Sequence, residues 1–231
     1  MSTPLAATNK KILQRSVVKA HQTLSHSSRV QQLARLLADI IDRHTATLST
    51  VRCLDVGCGD MTLAEQIQGL CPRTVWQCID LYELPPELQT DPKWLKYSRF
   101  NGHDLPFRNY SFDIVLLCDV LHHSGAEAGP LLRETGRVGG FVLVKDHFEE
   151  SLYSRLILWL MDFVGNWGYG VNLPKSYFSV DSFSRCYKEH GLRLLEQNRG
   201  IDLYAHLPLL RTLLNPSWQF TALLTDAKNQ H

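Results

Sequence analysis

The sequence has no apolar run long enough to span a lipid bilayer. Its longest uninterrupted apolar run is Leu156–Met161, six residues, whereas a membrane-spanning helix needs roughly 20. No apolar stretch of the signal-peptide kind follows Met1. We therefore predict no membrane span, no export and a cytoplasmic location.

The chain also lacks an excess of charge of either sign. Its 24 Lys and Arg residues are matched by 23 Asp and Glu residues, which leaves a net charge of +1. Because nucleic-acid binding normally requires a strongly basic surface, we expect no nucleic-acid partner. The segment before Asp39 is basic and free of acidic residues, which is typical of a solvated N-terminal helix or of an organelle-targeting segment. The helix is the preferred interpretation.

No two cysteines are spaced as a C-x-x-C pair. This absence argues against a zinc site and against a thioredoxin-like redox motif. We expect six reduced thiols and no metal cofactor; the cysteines are Cys53, Cys58, Cys71, Cys78, Cys118 and Cys186.

The composition is globular, and the length of 231 residues fits one domain with elaborations. Seven short runs have the length and composition of strands: Arg52–Val56, Val75–Asp80, Leu95–Phe100, Phe112–Cys118, Gly140–Lys145, Leu192–Gln197 and Trp218–Leu224. Helical patterns occur at Val30–Ile41 after the possible N-caps Ser27 and Ser28, at Leu63–Leu70, at the almost wholly apolar stretch Leu152–Val164, and at Asp181–His190.

This alternation predicts an α/β fold. We expect a single-domain, Rossmann-like, seven-stranded and mostly parallel sheet with helices on both faces. The last two strands follow each other without an evident long helix, so a final antiparallel hairpin is compatible with the pattern. Residues 1–45 are interpreted as an N-terminal helical extension and residues 46–231 as the main domain, with a helical cap inserted after strand 5 at about 147–180.

The most informative motif is residues 51–60, which read VRCLDVGCGD, a buried strand that runs into a glycine turn. In doubly wound sheets, ligands bind at the carboxyl ends of such strands. Gly57-x-Gly59 lacks the third glycine of G-x-G-x-x-G, because position 62 is Thr, and this disfavours a pyrophosphate ligand. Asp80 ends the second strand, where a carboxylate binds ribose hydroxyls. The pattern therefore predicts an adenosine-type ligand.

These residues resemble the class I S-adenosylmethionine-dependent methyltransferases, in particular small-molecule members of the methyltransferase type 11-like group. Four motifs stand in the family's order: LDVGCG at 54–59, IDL at 79–81, NGHDLPF at 101–107 and SFDIVLLCDVLHH at 111–123. The resemblance is close from Val51 to Asp146 and extends to the rest in topology only. It differs at Met61, where the family commonly has a third glycine.

The resemblance implies S-adenosylmethionine as cofactor and assigns residues to its parts. Gly57, Cys58 and Gly59 would lie beside the methionine moiety, and Asp55 would orient water or the amino group. The remaining implied contacts are Asp80 and Leu81 to the ribose, His103, Asp104 and Leu105 to the adenine, the Cys118 carbonyl, and Arg29 to the carboxylate.

Methyl transfer from a sulfonium needs an aligned nucleophile and no metal. If the acceptor must lose a proton, histidine is a suitable base. His147 is our first candidate because it lies where the fifth strand ends, and His122 and His123 are the others. Each also has a structural interpretation: His122 and His123 can begin a helix or pack on the cofactor, and His147 can bond to backbone.

The apolar stretch after strand 5 is the candidate roof of an acceptor pocket. The predicted acceptor-binding residues are Asp146, Trp159, Asp162, Asn166 and Tyr177, which favours a small apolar or aromatic acceptor. Alternatively, this helix is a packed cap or a dimer surface, and Asp162 pairs with Arg155.

We predict O-, C- or N-methylation of a small molecule by a monomer or homodimer. Methylation of a DNA base amino group is disfavoured, because the fourth strand lacks the Pro-Pro-aromatic signature. One alternative is a non-catalytic S-adenosylmethionine-binding module or assembly partner. Another is a nicotinamide-dependent oxidoreductase, although the chain has no Tyr-x-x-x-Lys pair.

Overall fold

The structure is a computed structural model that describes residues 27–84, 86, 88–165, 174, 176–205 and 213–228. Its strands are β1 Val51–Val56, β2 Thr74–Asp80, β3 Tyr97–Arg99, β4 Phe112–Cys118, β5 Gly139–His147, β6 Leu192–Arg199 and β7 Gln219–Asp226. Its α-helices are α1 Ser27–His44, α2 Thr62–Leu70, α3 Leu121–Ser124, α4 Ala128–Val138, α5 Leu152–Gly165 and α6 Val180–Glu189.

The seven strands form one sheet in the order β3-β2-β1-β4-β5-β7-β6. Every pair from β3 to β5 is parallel, whereas β7 runs antiparallel to both β5 and β6. The predicted mostly parallel α/β sheet is confirmed, and the final hairpin is present.

Both faces of the sheet are covered by helices. Along β4, Ile114 and Leu116 belong to one buried cluster with residues of α1 and α2, and Val115 and Leu117 belong to the other with residues of α4 and α6. Successive strand residues point to opposite faces, so an almost wholly apolar strand is the expected sequence of a doubly covered sheet.

Several strand boundaries differ from the prediction by one or two residues, and those of β3 and β5 have a clear structural cause. β3 begins only at Tyr97, because the preceding residues form the 3₁₀-helix Pro92–Lys96, capped by the Asp91 side chain. β5 extends to His147, because β7 pairs with it along Phe141–His147. His147 is therefore held in the ladder.

The predicted cap helix is present as α5, and much of its outer side is solvent-exposed, with Leu152 79% and Leu156 61% accessible. Within the described ranges, no helix combines the length and apolarity that crossing a bilayer requires. The proposed division at residue 45 stays a prediction, and residues 1–26 lie outside the described residues.

We expect β7 to be essential for stability. Phe220 is fully buried and stacks on Phe148 with ring centroids 3.8 Å apart. The Phe220→Ala variant should lose roughly 3 to 5 kcal/mol of unfolding free energy in urea titrations, because a large cavity remains. Leu95→Ala, at a residue 77% exposed, should change it by less than about 0.5 kcal/mol. Equal losses in the two variants would contradict this.

Candidate active site

The carboxyl ends of β1, β2, β4 and β5 lie at one edge of the sheet, because these strands are parallel neighbours. The predicted glycine turn, Asp80 and the Asp146–His147 pair all lie at these strand ends. Ligands of doubly wound sheets bind at this edge.

The glycine turn after β1 has the conformation that its glycines allow. Gly57 and Gly59 have φ of 75° and 52°, in the left-handed region that favours glycine. A Cβ on Gly57 would lie 2.6 Å from Val120 Cγ2, so the turn packs closely on the end of β4. A Cβ on Gly59 would meet no heavy atom of the described residues within 4 Å. Gly59 therefore borders open space.

Asp80 holds this turn in place. One carboxylate oxygen accepts a hydrogen bond from Gly59 N at 2.8 Å, and the other accepts one from Leu81 N at 2.6 Å. Gly57 N also donates to Ile79 O at 2.8 Å. A carboxylate has about four lone-pair sites, so Asp80 retains the capacity to bind ribose hydroxyls.

Met61 occupies the position of the missing third glycine. It has φ of 63° and lies in the left-handed region, although it is not glycine, and its side chain is fully buried in the cluster under α1. Such a conformation costs about 1 to 2 kcal/mol. The backbone shape is therefore kept while the side chain fills the core.

Asp55 lies inside β1 and is 2% exposed. Burial and, secondly, the negative charge of Asp80 raise the pKa of its carboxyl to about 7. Its charge thus changes near neutral pH, at the side of the turn where the amino group of a cofactor would lie.

The predicted adenine-side loop lies against the end of β2. A Cβ on Gly102 would lie 2.9 Å from Leu81 Cδ2, and Leu81 is half exposed. Asp104 is exposed and accepts a hydrogen bond from Asn101, while Leu105 is buried. His103 is exposed, and its Nδ1 lies 3.1 Å from Glu127.

At the end of β4, Asp119 is surrounded by cations. Its φ is 56°, and its carboxylate accepts hydrogen bonds from Lys145 Nζ at 2.6 Å and from Arg29 at 3.2 Å. Burial disfavours the carboxylate, but Lys145, His147 and Arg29 together hold its pKa below its usual range. Burial and the Asp119 charge raise the pKa of the adjacent Cys118 thiol.

His122 and Asp146 form a buried dyad. His122 Nδ1 lies 2.6 Å from Asp146 Oδ1, and the side chains are 1% and 0% exposed. The backbone N–H groups of His122 and His147 also donate to the Asp146 carboxylate. One carboxylate thus orients both candidate histidines.

The two histidines have opposite pKa shifts. Burial lowers the pKa of His122, but Asp146, Asp162 and Asp119 outweigh it and raise the pKa to about 9. Burial and the charge of Lys145 lower the pKa of His147, although Asp119 and Asp146 oppose them. At neutral pH His122 is charged and His147 is neutral.

The cap contributes two of its predicted polar groups to this cluster. Tyr177 donates a hydrogen bond to Asp162, and Asp162 Oδ2 lies 3.5 Å from His122 Nε2. The rings of His122 and Tyr177 have centroids 5.4 Å apart. Arg155 hydrogen-bonds to Glu149, so the alternative pairing of Asp162 with Arg155 is wrong.

The structure does not bring Trp159 to this cluster. Trp159 is 39% exposed, and its described ring contact is with Phe163 in the same helix. Asn166 lies outside the described residues. His123 follows His122 in the short helix α3, which begins at Leu121, and the ring centroids of the two histidines are 4.1 Å apart.

Two groups of described side chains have potential metal-ligating atoms within 4.8 Å of one another: Asp119, His122, Asp146 and His147, and His122, His123 and Asp162. In the first group, Lys145 and His122 already balance the two carboxylates. In the second, Asp162 accepts a hydrogen bond from Tyr177. The expectation that no metal is needed stays a prediction.

Sequence reasoning assigned no role to Asp119 or Lys145. Lys145 is fully buried, and it directly precedes the Asp146–His147 pair. The available signal was a lysine inside an otherwise apolar strand, because a buried charge requires a partner.

Residues 54–144 match the family model described as a methyltransferase domain. Among solved structures, the chain is similar to a putative sarcosine dimethylglycine methyltransferase from Galdieria sulphuraria, with 14% identity, a TM-score of 0.61 and 85% of each chain covered. It is also similar to a methyltransferase dependent on S-adenosylmethionine from Methanosarcina mazei, with 16% identity, a TM-score of 0.57, and 81% of this chain and 96% of that chain covered.

A third similar structure is the [4+2]-cyclase SpnF, with 17% identity, a TM-score of 0.54, and 81% of this chain and 78% of that chain covered. No curated protein matches the chain. The domain match over residues 54–144 and the fold agree with the resemblance to the class I S-adenosylmethionine-dependent methyltransferases that the sequence motifs indicate.

The raised pKa of His122 predicts a pH-dependent stability. The folded pKa of about 9 exceeds the ordinary value of about 6.5, so this stabilisation is present below pH 6.5 and is lost as the pH rises through 9. In urea titrations, the unfolding free energy of the unsubstituted protein should fall by about 3 kcal/mol more than that of His122→Asn as the pH rises from 6.5 to 9. The asparagine keeps a hydrogen-bond donor for Asp146.

The control is His44→Gln, because His44 bonds to Glu196 outside this cluster. In His44→Gln, the unfolding free energy should change with pH as it does in the unsubstituted protein. Parallel stability curves for the unsubstituted protein and His122→Asn would contradict the assignment.

Proposed function

We propose that the protein methylates a small acceptor that loses a proton to His147. The observation that carries this proposal is the pair of histidines that share Asp146 and have opposite pKa shifts. Two titratable groups in one site with pKa values driven apart are typical of separate acid and base roles. The neutral ring of His147 is the base, and the charged ring of His122 is the fixed cation beside it.

The proposed cofactor contacts lie mainly at the carboxyl ends of the parallel strands. We propose that Gly57, Cys58 and Gly59 lie beside the methionine moiety, with Asp55 near its amino group and Arg29 near its carboxylate. The open space at Gly59 supports this placement, because it leaves room for a ligand to approach the backbone there. The other proposed contacts are Asp80, Leu81, His103, Asp104, Leu105 and the Cys118 carbonyl.

When bound, S-adenosylmethionine supplies a methyl group whose bond to sulfur breaks as the acceptor atom bonds to the methyl carbon, with the bonding pair left on sulfur. His147 Nδ1 lies 3.4 Å from Asp119 Oδ1 and 3.5 Å from Asp146 Oδ1. Two carboxylate oxygens favour the proton on Nδ1. Nε2 is therefore assigned the lone pair that accepts the acceptor's proton.

The acceptor is proposed to bind under the cap helix. Asp162 and Tyr177 provide polar groups from a largely apolar cap, which suits a small apolar or aromatic molecule with one polar group. Three carboxylates, those of Asp119, Asp146 and Asp162, are matched by the cations of Arg29, Lys145 and His122. The site is thus balanced while His147 is neutral.

This charge balance favours an acceptor that enters neutral and gives up a proton. A phenolic or enolic hydroxyl, or an acidic carbon, is such an acceptor, so we favour O- or C-methylation. His123 and Asp146 complete the proposed acceptor side. A cytoplasmic location and assembly as a monomer or homodimer stay predictions.

The Gly59→Ala variant tests the cofactor site. A methyl group there should occupy cofactor space and reduce S-adenosylmethionine affinity at least about tenfold in calorimetry, a cost of about 1.4 kcal/mol. Gly191→Ala is the matched control: Gly191 has φ of 80°, and a Cβ there also meets no described heavy atom within 4 Å. It lies in the turn before β6, so it should bear the same backbone strain and keep the affinity. Equal affinities in both variants would exclude this placement of the cofactor.

The His147→Gln variant tests the base. Turnover should fall roughly 10²- to 10⁴-fold while S-adenosylmethionine affinity stays within about twofold. The assay is S-adenosylhomocysteine release with a panel of small phenols and enolisable ketones. In the unsubstituted enzyme, kcat/KM should stay high below pH 6.5, because the pKa of His147 is lowered and a base must be neutral. Parallel losses of turnover and cofactor affinity would instead indicate a structural role.

A further inference from the structure

Lys145 is a fully buried cation for which the fold offers no packing reason. Its side chain is 0% exposed, and it is among the largest fully buried side chains of the described chain. Burying an ammonium group costs several kcal/mol, and apolar residues of similar volume often replace buried ion pairs without loss of stability. A lysine at this point of β5 therefore calls for a role beyond stability.

Its partner Asp119 is fixed in an unfavourable backbone conformation. Asp119 has φ of 56°, and such positions cost about 1 to 3 kcal/mol and cluster at functional sites. Three contacts hold it: Asp119 N donates to Lys145 O at 2.8 Å, Oδ1 accepts from Lys145 Nζ at 2.6 Å, and Oδ2 accepts from Arg29 at 3.2 Å.

The decisive contact is a shared oxygen. Asp119 Oδ1 lies 2.6 Å from Lys145 Nζ and 3.4 Å from His147 Nδ1. The ammonium is the closer partner, so it takes the stronger hydrogen bond and leaves the imidazole a long contact. Without Lys145, the same carboxylate oxygen would be free to pair with the ring and favour its charged form.

Among the residues that the structure describes, the charged groups that act on His147 come from three elements. Lys145 from β5 and His122 from α3 disfavour a proton on the ring, whereas Asp119 after β4 and Asp146 from β5 favour one. Arg29 contacts Asp119, and Asp162 contacts His122. The Cys118 thiol adjoins Asp119, and the Tyr177 ring has its centroid 6.5 Å from that of His147.

We propose that Lys145 and Asp119 are positioning residues for His147. The ammonium occupies the carboxylate oxygen that would otherwise pair with the imidazole, so Nδ1 keeps only a long contact of 3.4 Å to that oxygen, and the opposite nitrogen keeps its lone pair for the acceptor's proton. This inference rests on the proposed role of His147 as base. It assigns control of that base to a lysine that does not touch the acceptor.

The test measures the titration of His147 by the NMR signals of its ring, which are identified by their loss in His147→Gln. In Lys145→Met, the proton affinity of the ring should rise about tenfold or more, because Asp119 is released to pair with it. In Asp119→Asn, it should fall. The fall of kcat/KM at low pH, which is its acid limb, should move to higher pH in Lys145→Met and to lower pH in Asp119→Asn.

Two controls separate this coupling from a general disturbance. Lys93→Met removes a lysine that pairs with Glu65 away from the site, and it should leave the titration unchanged. Lys145→Arg keeps the positive charge and should keep the acid limb within a few tenths of a pH unit. If Lys145→Met does not fold, the direction of the shift in Asp119→Asn decides.

Each outcome has one consequence. Shifts in the same direction in Lys145→Met and Asp119→Asn, or no shift in either, would overturn the coupling. If the titration of His147 does not move in Lys145→Met and Asp119→Asn but His147→Gln loses turnover, the coupling is overturned and the base role stands. Opposite shifts together with full turnover in His147→Gln would overturn the base role, and with it the catalytic purpose of the pair.

Discussion

The compensation of buried carboxylates at the carboxyl edge of the sheet is the constraint on which the site depends. An isolated carboxylate is too costly to bury, so Asp119 and Asp146 each require a cation from another element. Lys145 of β5 serves Asp119, and His122 of α3 serves Asp146. These pairs join β4, α3 and β5 at the point where the carboxyl edge of the sheet meets the cap.

This arrangement divides the site into a buried inner part and a more accessible outer part. The side chains of Lys145, Asp146 and His122 are 0%, 0% and 1% exposed, whereas those of Asp119 and Asp162 are 21% and 17% exposed. The inner groups are held by the hydrogen bonds within the cluster, and the outer groups are partly accessible to solvent. Preorganised groups of this kind do not have to rearrange during reaction.

The fold by itself does not determine the chemistry at this edge. Similar folds occur in proteins described as methyltransferases and in a [4+2]-cyclase. The choice of reaction depends on side chains at the strand ends and on the cap. In this chain, the distinguishing features are two histidines that share one carboxylate and a buried lysine next to them.

Local signals were sufficient for the sheet and the glycine turn, because strand periodicity and the need for positive φ act over a few residues. The same reasoning misplaced the start of the third strand and the end of the fifth, since the 3₁₀-helix that begins at Pro92 and the pairing with β7 decide them. The sequence made His147 the first candidate base, but it did not indicate that Asp119 lies beside this histidine. The alternative pairing of Asp162 with Arg155 is not formed, because Arg155 hydrogen-bonds to Glu149.

The sequence by itself therefore determined the order of the strands along the chain, the turn at Gly57–Gly59 and the methyltransferase motifs between residues 54 and 144. Only the tertiary structure decided which charges meet. Asp119 and Lys145 are separated by 26 residues, and His122 and Asp146 by 24. Their contacts exist because β4 and β5 pair in parallel, and this register brings the residues that follow β4 beside the last residues of β5.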